Sequence, residues 1–474
     1  MPRRVGLLTS YFGGLFMAKV RVLKSIDMTE GKPMPVLIRF ALPLVLGSLL
    51  QQLYNTVDSI VVGREVGTTA LASVGTCGPI LHLLVGFFIG FSHGATVTVA
   101  GRFGARDEAG MDNAVRSALS VTFIFSIVLT IIGSLFCDDL LRLINVPEDV
   151  LPGSVLYLKI QFWGVTTMLY YNMTSALLRG FGDSRTPLVS LSIACAINVV
   201  LDIVFVTQFG LGVMGVSLAT IISQGISAVY GVIMIRRKRP AAFRFSRDFG
   251  GNGTLLTTMR IGFPSAFQNS INSVGGMAVQ GIINGFGETF IASANIINRM
   301  DQFCTTPINS IGNAMSAYTG QNLGAKKPER IKQGLYSGIT MTVCFCAFMT
   351  TLLIVGRKQI IQLFSADPAV LTISQTYLFT IAPFYICLGL SFLLIGIIRG
   401  SGHSLVAMYI SMMQIFAVRI PVAYYFCNIA NDPKMVYFAM GCGWTTMLIV
   451  LIIYFKTGKW RIDVFAPKEE AVKV

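Results

Sequence analysis

A chain of 474 residues that is 53% hydrophobic and 12% charged has about half the charged content of an ordinary soluble protein, which is roughly 25%. Too little polar surface remains to cover a soluble body of this size, and three histidines with nine scattered cysteines leave little material for a soluble metalloenzyme or a disulfide framework. The net charge of +15 would suit nucleic acid only as a basic face on a folded module; here the basic residues form short clusters between long apolar runs, so the expected partner is the lipid bilayer and not nucleic acid.

Residues 1–35 form an N-terminal segment. Arg3 and Arg4 followed by an apolar stretch to Met17 have the outline of a signal peptide, but cleavage would put the mature N-terminus outside, against the loop charges described below. An interfacial segment, or a start at Met17 or Met28, fits better. About twelve apolar runs follow, at 36–62, 70–100, 114–136, 154–178, 187–207, 211–235, 261–284, 290–319, 332–355, 371–398, 405–428 and 435–455. Each approaches or exceeds the ~20 residues that span a bilayer, and none alternates as the strands of a membrane barrel do. The expected fold is an all-α polytopic membrane protein.

The first run carries Pro43, Gln51, Gln52, Asn55 and Asp58, and the second has Gly86, Gly90 and Gly94 at four-residue spacing, a pattern that lets helices approach closely. The fifth holds Asn198 and Asp202, one turn apart and therefore on one face, and the sixth holds Thr220. A carboxylate inside a span costs about 2.5–3.5 kcal/mol on insertion scales and is a functional candidate by default. An amide, a carboxylate and a hydroxyl suit a small hard cation, or equally a proton, since burial favours the neutral acid. Local capping or pairing competes with that reading, more so at Asp58, which has Arg64 six residues on. A basic linker, 236–260, leads to the seventh run with Gln268, Asn269, Asn272 and Gln280. Matched amides in the first and seventh runs fit a shared wet cavity. Arg299 and Asp301 follow in the eighth run and Arg419 in the eleventh. Arg299 and Asp301 are two apart and cannot face each other on one helix, so each pairs across helices or lines a pathway. Met168, Met173, Met412 and Met413 are adaptable packing or ligand contacts. The tail, 456–474, closes the chain.

Lys and Arg concentrate in alternate loops: Arg102/Arg106, Arg236–Arg239 with Arg244 and Arg247, Lys326/Lys327/Arg330/Lys332, and Lys456, Lys459 and Arg461 in the tail. By the positive-inside rule those loops and both termini are cytoplasmic, as in a multi-pass protein of the cell membrane. Sliding the chain against itself by 220 residues superposes Arg179-Gly180…Gly182-Asp183 on Arg399-Gly400…Gly402-His403 and Gly104-Ala105-Arg106 on Gly324-Ala325-Lys326. Two parallel six-helix lobes follow, an N-lobe (36–235) and a C-lobe (261–455), as in secondary transporters whose substrate sits between repeats. The same offset places Val418 and Val422 at the Asn198 and Asp202 positions, so cation chemistry is confined to the N-lobe.

Pro43…Gln51-Gln52…Asp58…Gly63, Gly104-Ala105-Arg106-Asp107, Arg179-Gly180…Gly182-Asp183 and Asn198…Asp202 together resemble the multidrug and toxic compound extrusion (MATE) transporters over about residues 28–455. The resemblance implies substrate extrusion driven by H⁺ or Na⁺ with no other cofactor. A DinF-like N-lobe cation site would fall on Asp58, Asn198, Asp202 and Thr220, and Pro43 on the proline where the first helix bends in some members. The acidic residues that NorM-like members carry in the seventh and tenth helices are missing here, which favours the DinF-like comparison. The expected function is an antiporter exporting amphipathic, often cationic, small molecules, with Gln51, Gln52, Asn55, Gln268, Asn272, Arg299, Asp301 and Arg419 in the cavity. The alternatives are a flippase for lipid-linked precursors, which would need a strongly basic cavity, and an exporter of an endogenous metabolite. The major facilitator plan lacks its loop signature in 101–113. An enzyme is disfavoured because His82, His93 and His403 show no ligand spacing.

Overall fold

The computed structural model describes residues 25–61, 68–144, 146–243, 253–362, 364–365, 367–429 and 435–461, the side chains of 57–61, 68–71 and 428 excepted. The signal-like segment, Arg64, Arg244, Arg247 and most of the tail lie outside the described residues. Every regular element among them is helical. In lipid a helix alone satisfies its own backbone, so long apolar runs have no other way to cross.

The helical stretches are α1 (Pro33–Val61), α2 (Thr68–Gly104), α3 (Glu108–Leu135), α4 (Leu151–Trp163 and Val165–Gly180), α5 (Arg185–Gln208), α6 (Gly212–Lys238), α7 (Thr254–Asn284), α8 (Glu288–Gly324), α9 (Pro328–Gln362), α10 (Pro368–Gly400), α11 (Ser404–Cys427) and α12 (Met435–Lys456). Among the described residues, nine are long and apolar enough to cross a membrane, and the exceptions are α4, α7 and α8. α4 is broken at Gly164; α7 and α8 are richer in polar residues, among them Gln268, Asn269, Asn272, Arg299 and Asp301. A short surface helix, Cys137–Leu143, follows α3.

The repeat is visible in the backbone at the 220-residue offset. Arg106 (φ 59°) pairs with Lys326 (φ 57°), and Gly182 (φ 76°) with Gly402 (φ 85°). The break in α4 at Gly164 answers a 3₁₀ segment, Ala382–Phe384, in α10, and the π-helical end of α5, Val204–Gln208, answers the π-helical segment Tyr425–Ile429 at the end of α11. The two halves therefore have one fold, with two lobes.

The lobes meet near the basic loops. A Cβ at Gly104 would lie 1.9 Å from the Gln321 carbonyl oxygen, and one at Gly324 would lie 1.9 Å from that of Gly101. These two crossings are mates across the repeat, and only bare backbone fits either. Of the three spaced glycines in α2, Gly90 and Gly94 press on Ser265 and on Thr258 and Gly262 of α7, whereas a Cβ at Gly86, Gly75 or Gly78 would meet nothing. The lobes are closed on the basic-loop side and separate towards the other. The cores also cross over: Leu37, Phe40 and Ala41 of α1 belong to the C-lobe core, and Ala266 of α7 belongs to the N-lobe core.

Residues 25–31 strap the closed side. The Ile26 amide donates to Gly182 O (2.9 Å) and the Met28 amide to Gln321 Oε1 (3.0 Å), while Arg330 donates to the carbonyls of Met28 and Gly31. Asp27 pairs with Arg106 at 2.8 Å. Gly182 permits this, since a Cβ there would sit 2.1 Å from Ile26 O on a left-handed backbone. Gly182→Ala is expected to cost about 1–3 kcal/mol, the range for a strained backbone position, as a fall in the melting temperature of the detergent-solubilised protein.

Candidate coupling and substrate sites

Asn198 and Asp202 sit on α5, 0% and 1% exposed. With its nitrogen turned towards the acid, the Asn198 amide donates to Asp202 Oδ2 (2.8 Å), and its oxygen accepts from the Thr220 backbone N–H of α6 (3.2 Å). The Thr220 hydroxyl donates to Val216 O (3.1 Å). The acid, the amide and the α6 backbone thus form one unit. Ser190 and Ser227 exchange bonds between α5 and α6, each hydroxyl donating to the other's carbonyl at 3.1 and 2.7 Å, so the two helices are also tied about three turns from the acid. The π-helical segment begins two residues after Asp202, at Val204; such interruptions recur at functional sites because they alter the backbone bonding register.

Between α1, α4, α5 and α6 lies a cavity of about 30 Å³ lined by Gln51, Tyr54, Tyr171, Cys195, Ser223 and Gln224, room for about one water. Asp58 follows Tyr54 by one helical turn of α1; its side chain lies outside the described residues. Pro43 is inside α1 and Pro264 inside α7, each removing one helical donor.

The C-lobe has its own polar group. Asp301 of α8 faces the Tyr385 hydroxyl of α10, within the field of Arg419 of α11, and Tyr437 of α12 lies against the same charges. The rings of Tyr377 and Tyr437 are 4.6 Å apart, and those of Tyr385 and Trp444 are 6.0 Å apart. Asp301 Oδ1, Arg419 Nε and Gln414 Oε1 are enclosed without a hydrogen-bond partner. Arg299, two residues earlier, is exposed. The structure therefore puts Asp301, and not Arg299, within the field of Arg419 across helices.

Gln52 Nε2 donates to Thr306 Oγ1 (3.0 Å) and ties α1 to α8. Gln51, Asn55 and Asn272 are exposed within the spans, as groups facing an open volume would be. Gln268 is 2% exposed and fully committed: its nitrogen donates to Ser411 Oγ (2.6 Å) and Ala407 O (3.2 Å), and its oxygen accepts from Arg399 Nη2 (2.9 Å). Arg399, 6% exposed, is not among the site residues expected from sequence. The signal was present, because Arg399 and Arg179 are repeat mates and both lie inside the protein. Removing the acceptor with Gln268→Ala is expected to destabilise the protein by about 1.5–3 kcal/mol, the worth of a hydrogen bond to a charged group, and to be read as a lower melting temperature with the expression level retained.

The MatE family model matches residues 43–204 and again 264–425, one copy in each half. The chain belongs to the MatE family. It is 27% identical to the probable multidrug resistance protein YpnP of Bacillus subtilis (strain 168) over 439 residues, 93% of this chain and 98% of that protein. It is 30% identical to the probable multidrug resistance protein YoeA of the same organism over 411 residues, 84% of this chain and 88% of that one. Its fold superposes with a TM-score of 0.86 on the outward-facing conformation of a multidrug resistance MATE family transporter of the MOP superfamily, at 22% identity, covering 92% of this chain and 98% of the other. This MatE chain is thus a multi-pass membrane protein of a multidrug efflux transporter family, a family of transporters and not of enzymes.

Proposed function

We propose that this MatE transporter is an antiporter that exports amphipathic, often cationic, small molecules in exchange for H⁺ or Na⁺ by alternating access. The buried Asn198–Asp202–Thr220 unit carries the reading. Asp58 completes it from α1, and the exposed Gln51, Asn55, Asn272 and Arg299, with the Asp301–Arg419 group behind them, border the substrate path. The halves 36–235 and 261–455 act as the moving lobes, joined by the linker 236–260, with 1–35 and 456–474 on the cytoplasmic side. With the basic loops on the cytoplasmic side, as the positive-inside rule favours, the closed face is the inner one and the described conformation is open to the exterior.

Cation entry from outside neutralises or occupies Asp202, and that occupancy must be favoured differently in the two facing states for coupling to follow. Each charge moved across about 100 mV supplies ~2.3 kcal/mol. The test is a purified transporter in proteoliposomes loaded with a cationic dye, with an H⁺ or a Na⁺ gradient imposed separately. Efflux under one gradient names the ion; no efflux under either removes multidrug antiport.

A further inference from the structure

We propose that the groove between α3, α4 and the end of α6 is a binding site for one acidic phospholipid of the leaflet on the basic-loop side, with the lipid phosphate on Arg116. The proposal does not rest on the transport reading; it concerns the outer face of the N-lobe, away from Asp202.

The groove has a volume of about 590 Å³, and its floor and rim include Arg116, Ser120, Phe123, Ile124, Tyr170 and Phe243. Its open side lies beside exposed apolar residues of α3. Phe123 and Ile124 are 51% and 54% exposed and begin an exposed apolar stripe that continues through Ile127, Val128 and Ile131 along α3. An acyl chain lying along that stripe would enter the groove without leaving hydrocarbon. Arg116 stands eight residues inside α3, counted from Glu108, or about 12 Å along the helix axis. That depth suits a headgroup phosphate, not bulk water.

The guanidinium is only loosely held. Its Nε and Nη2 reach the carbonyls of Ala242 and Ala241, each at 3.4 Å, longer than the 2.7–3.2 Å of a normal N–H···O bond. Among the described residues no carboxylate lies within ion-pair distance of it. The acids of the same corner are engaged elsewhere, since Arg239 takes Asp112 at 2.7 Å and also Glu108. A cation at this depth without an acid is completed by an anion, and a phosphate accepts from a guanidinium fork in a bidentate manner. The Ser120 hydroxyl, one turn along α3, lines the same groove. Arg236, one turn beyond Val232 of the groove wall, is exposed and adds a second positive charge at the mouth. Basic pockets between helices on the positively charged side are where anionic headgroups bind. Because Ala242 and Phe243 open the connection between the halves, a lipid here would brace that joint.

Delipidated full-length protein titrated with phosphatidylglycerol or phosphatidylcholine and weighed by native mass spectrometry tests this. Wild type is expected to retain one phosphatidylglycerol more tightly than phosphatidylcholine, and Arg116→Ala to lose about fivefold in that affinity, the equivalent of ~1 kcal/mol per basic residue at a charged membrane surface. Arg116→Lys is expected to keep most of it, which separates charge from fold. Arg142→Ala, on the opposite side of the membrane, should change nothing. Equal retention of phosphatidylglycerol by wild type and Arg116→Ala, or equal retention of the two lipids by wild type, would overturn the proposal.

Discussion

Asp202→Asn is expected to abolish gradient-driven dye efflux while leaving membrane levels at those of wild type. The substitution keeps the shape of the side chain, and its carbonyl still accepts from the Asn198 amide, now at the Oδ2 position that lies 2.8 Å away. The fold therefore has little reason to suffer. What disappears is the ability to change charge with ion occupancy, at a group 1% exposed. Coupling free energies run to about 1–3 kcal/mol, or roughly 5- to 150-fold, so efflux should fall by at least about tenfold under whichever gradient drives the wild type. Efflux within twofold of wild type would move the coupling site out of α5. Asn198→Ala is the companion measurement, because it removes the donor and leaves the acid in place.

A methyl group at either helix crossing is expected to be as damaging by a different route. At Gly104 and Gly324 the added Cβ would stand 1.9 Å from a backbone oxygen of the opposite helix, and no side-chain rotation relieves a clash with backbone. Closure on the basic-loop side is then blocked unless α2 and α8 move apart. Gly104→Ala and Gly324→Ala should each lower efflux about tenfold or more and populate a state open on that side. The readout is the distance between spin labels at the exposed positions Arg185 and Lys326, one on each lobe, which should lengthen. Unchanged distance and unchanged efflux would mean that the helices slide past one another without loss. The pseudo-symmetry adds an internal check, because the two substitutions should act alike.

The helical stretches were legible because hydrocarbon demands about 20 apolar residues whatever the fold, a length and hydropathy that nine of them meet among the described residues, and the repeat was legible because Arg179-Gly180 and Arg399-Gly400 stand 220 residues apart. The Asn198–Asp202 face was legible because helical spacing is local. What was not legible depends on which helices neighbour which. Arg299, Asp301 and Arg419 all read from sequence as intramembrane charges, yet only the packing of α8, α10, α11 and α12 decides that Asp301 lies within the field of Arg419 and beside Tyr385 while Arg299 stays exposed. Gln268 looked like a cavity amide and is instead a buried partner of Arg399. The breaks at Gly164 and at Ala382–Phe384 leave no deficit of apolar residues, so hydropathy passes over them.

The crossing of cores has a consequence for how the chain is made. Leu37, Phe40 and Ala41 complete the core of the C-lobe, and Ala266 completes that of the N-lobe. When the first six helices have left the ribosome, Leu37, Phe40 and Ala41 still lack the C-lobe side chains they are buried among. The N-terminal half must therefore wait in the bilayer, incompletely folded, until α7 and α8 arrive. The two halves are repeats in sequence but a single unit in assembly, so the duplicated gene product is now bound to remain one chain.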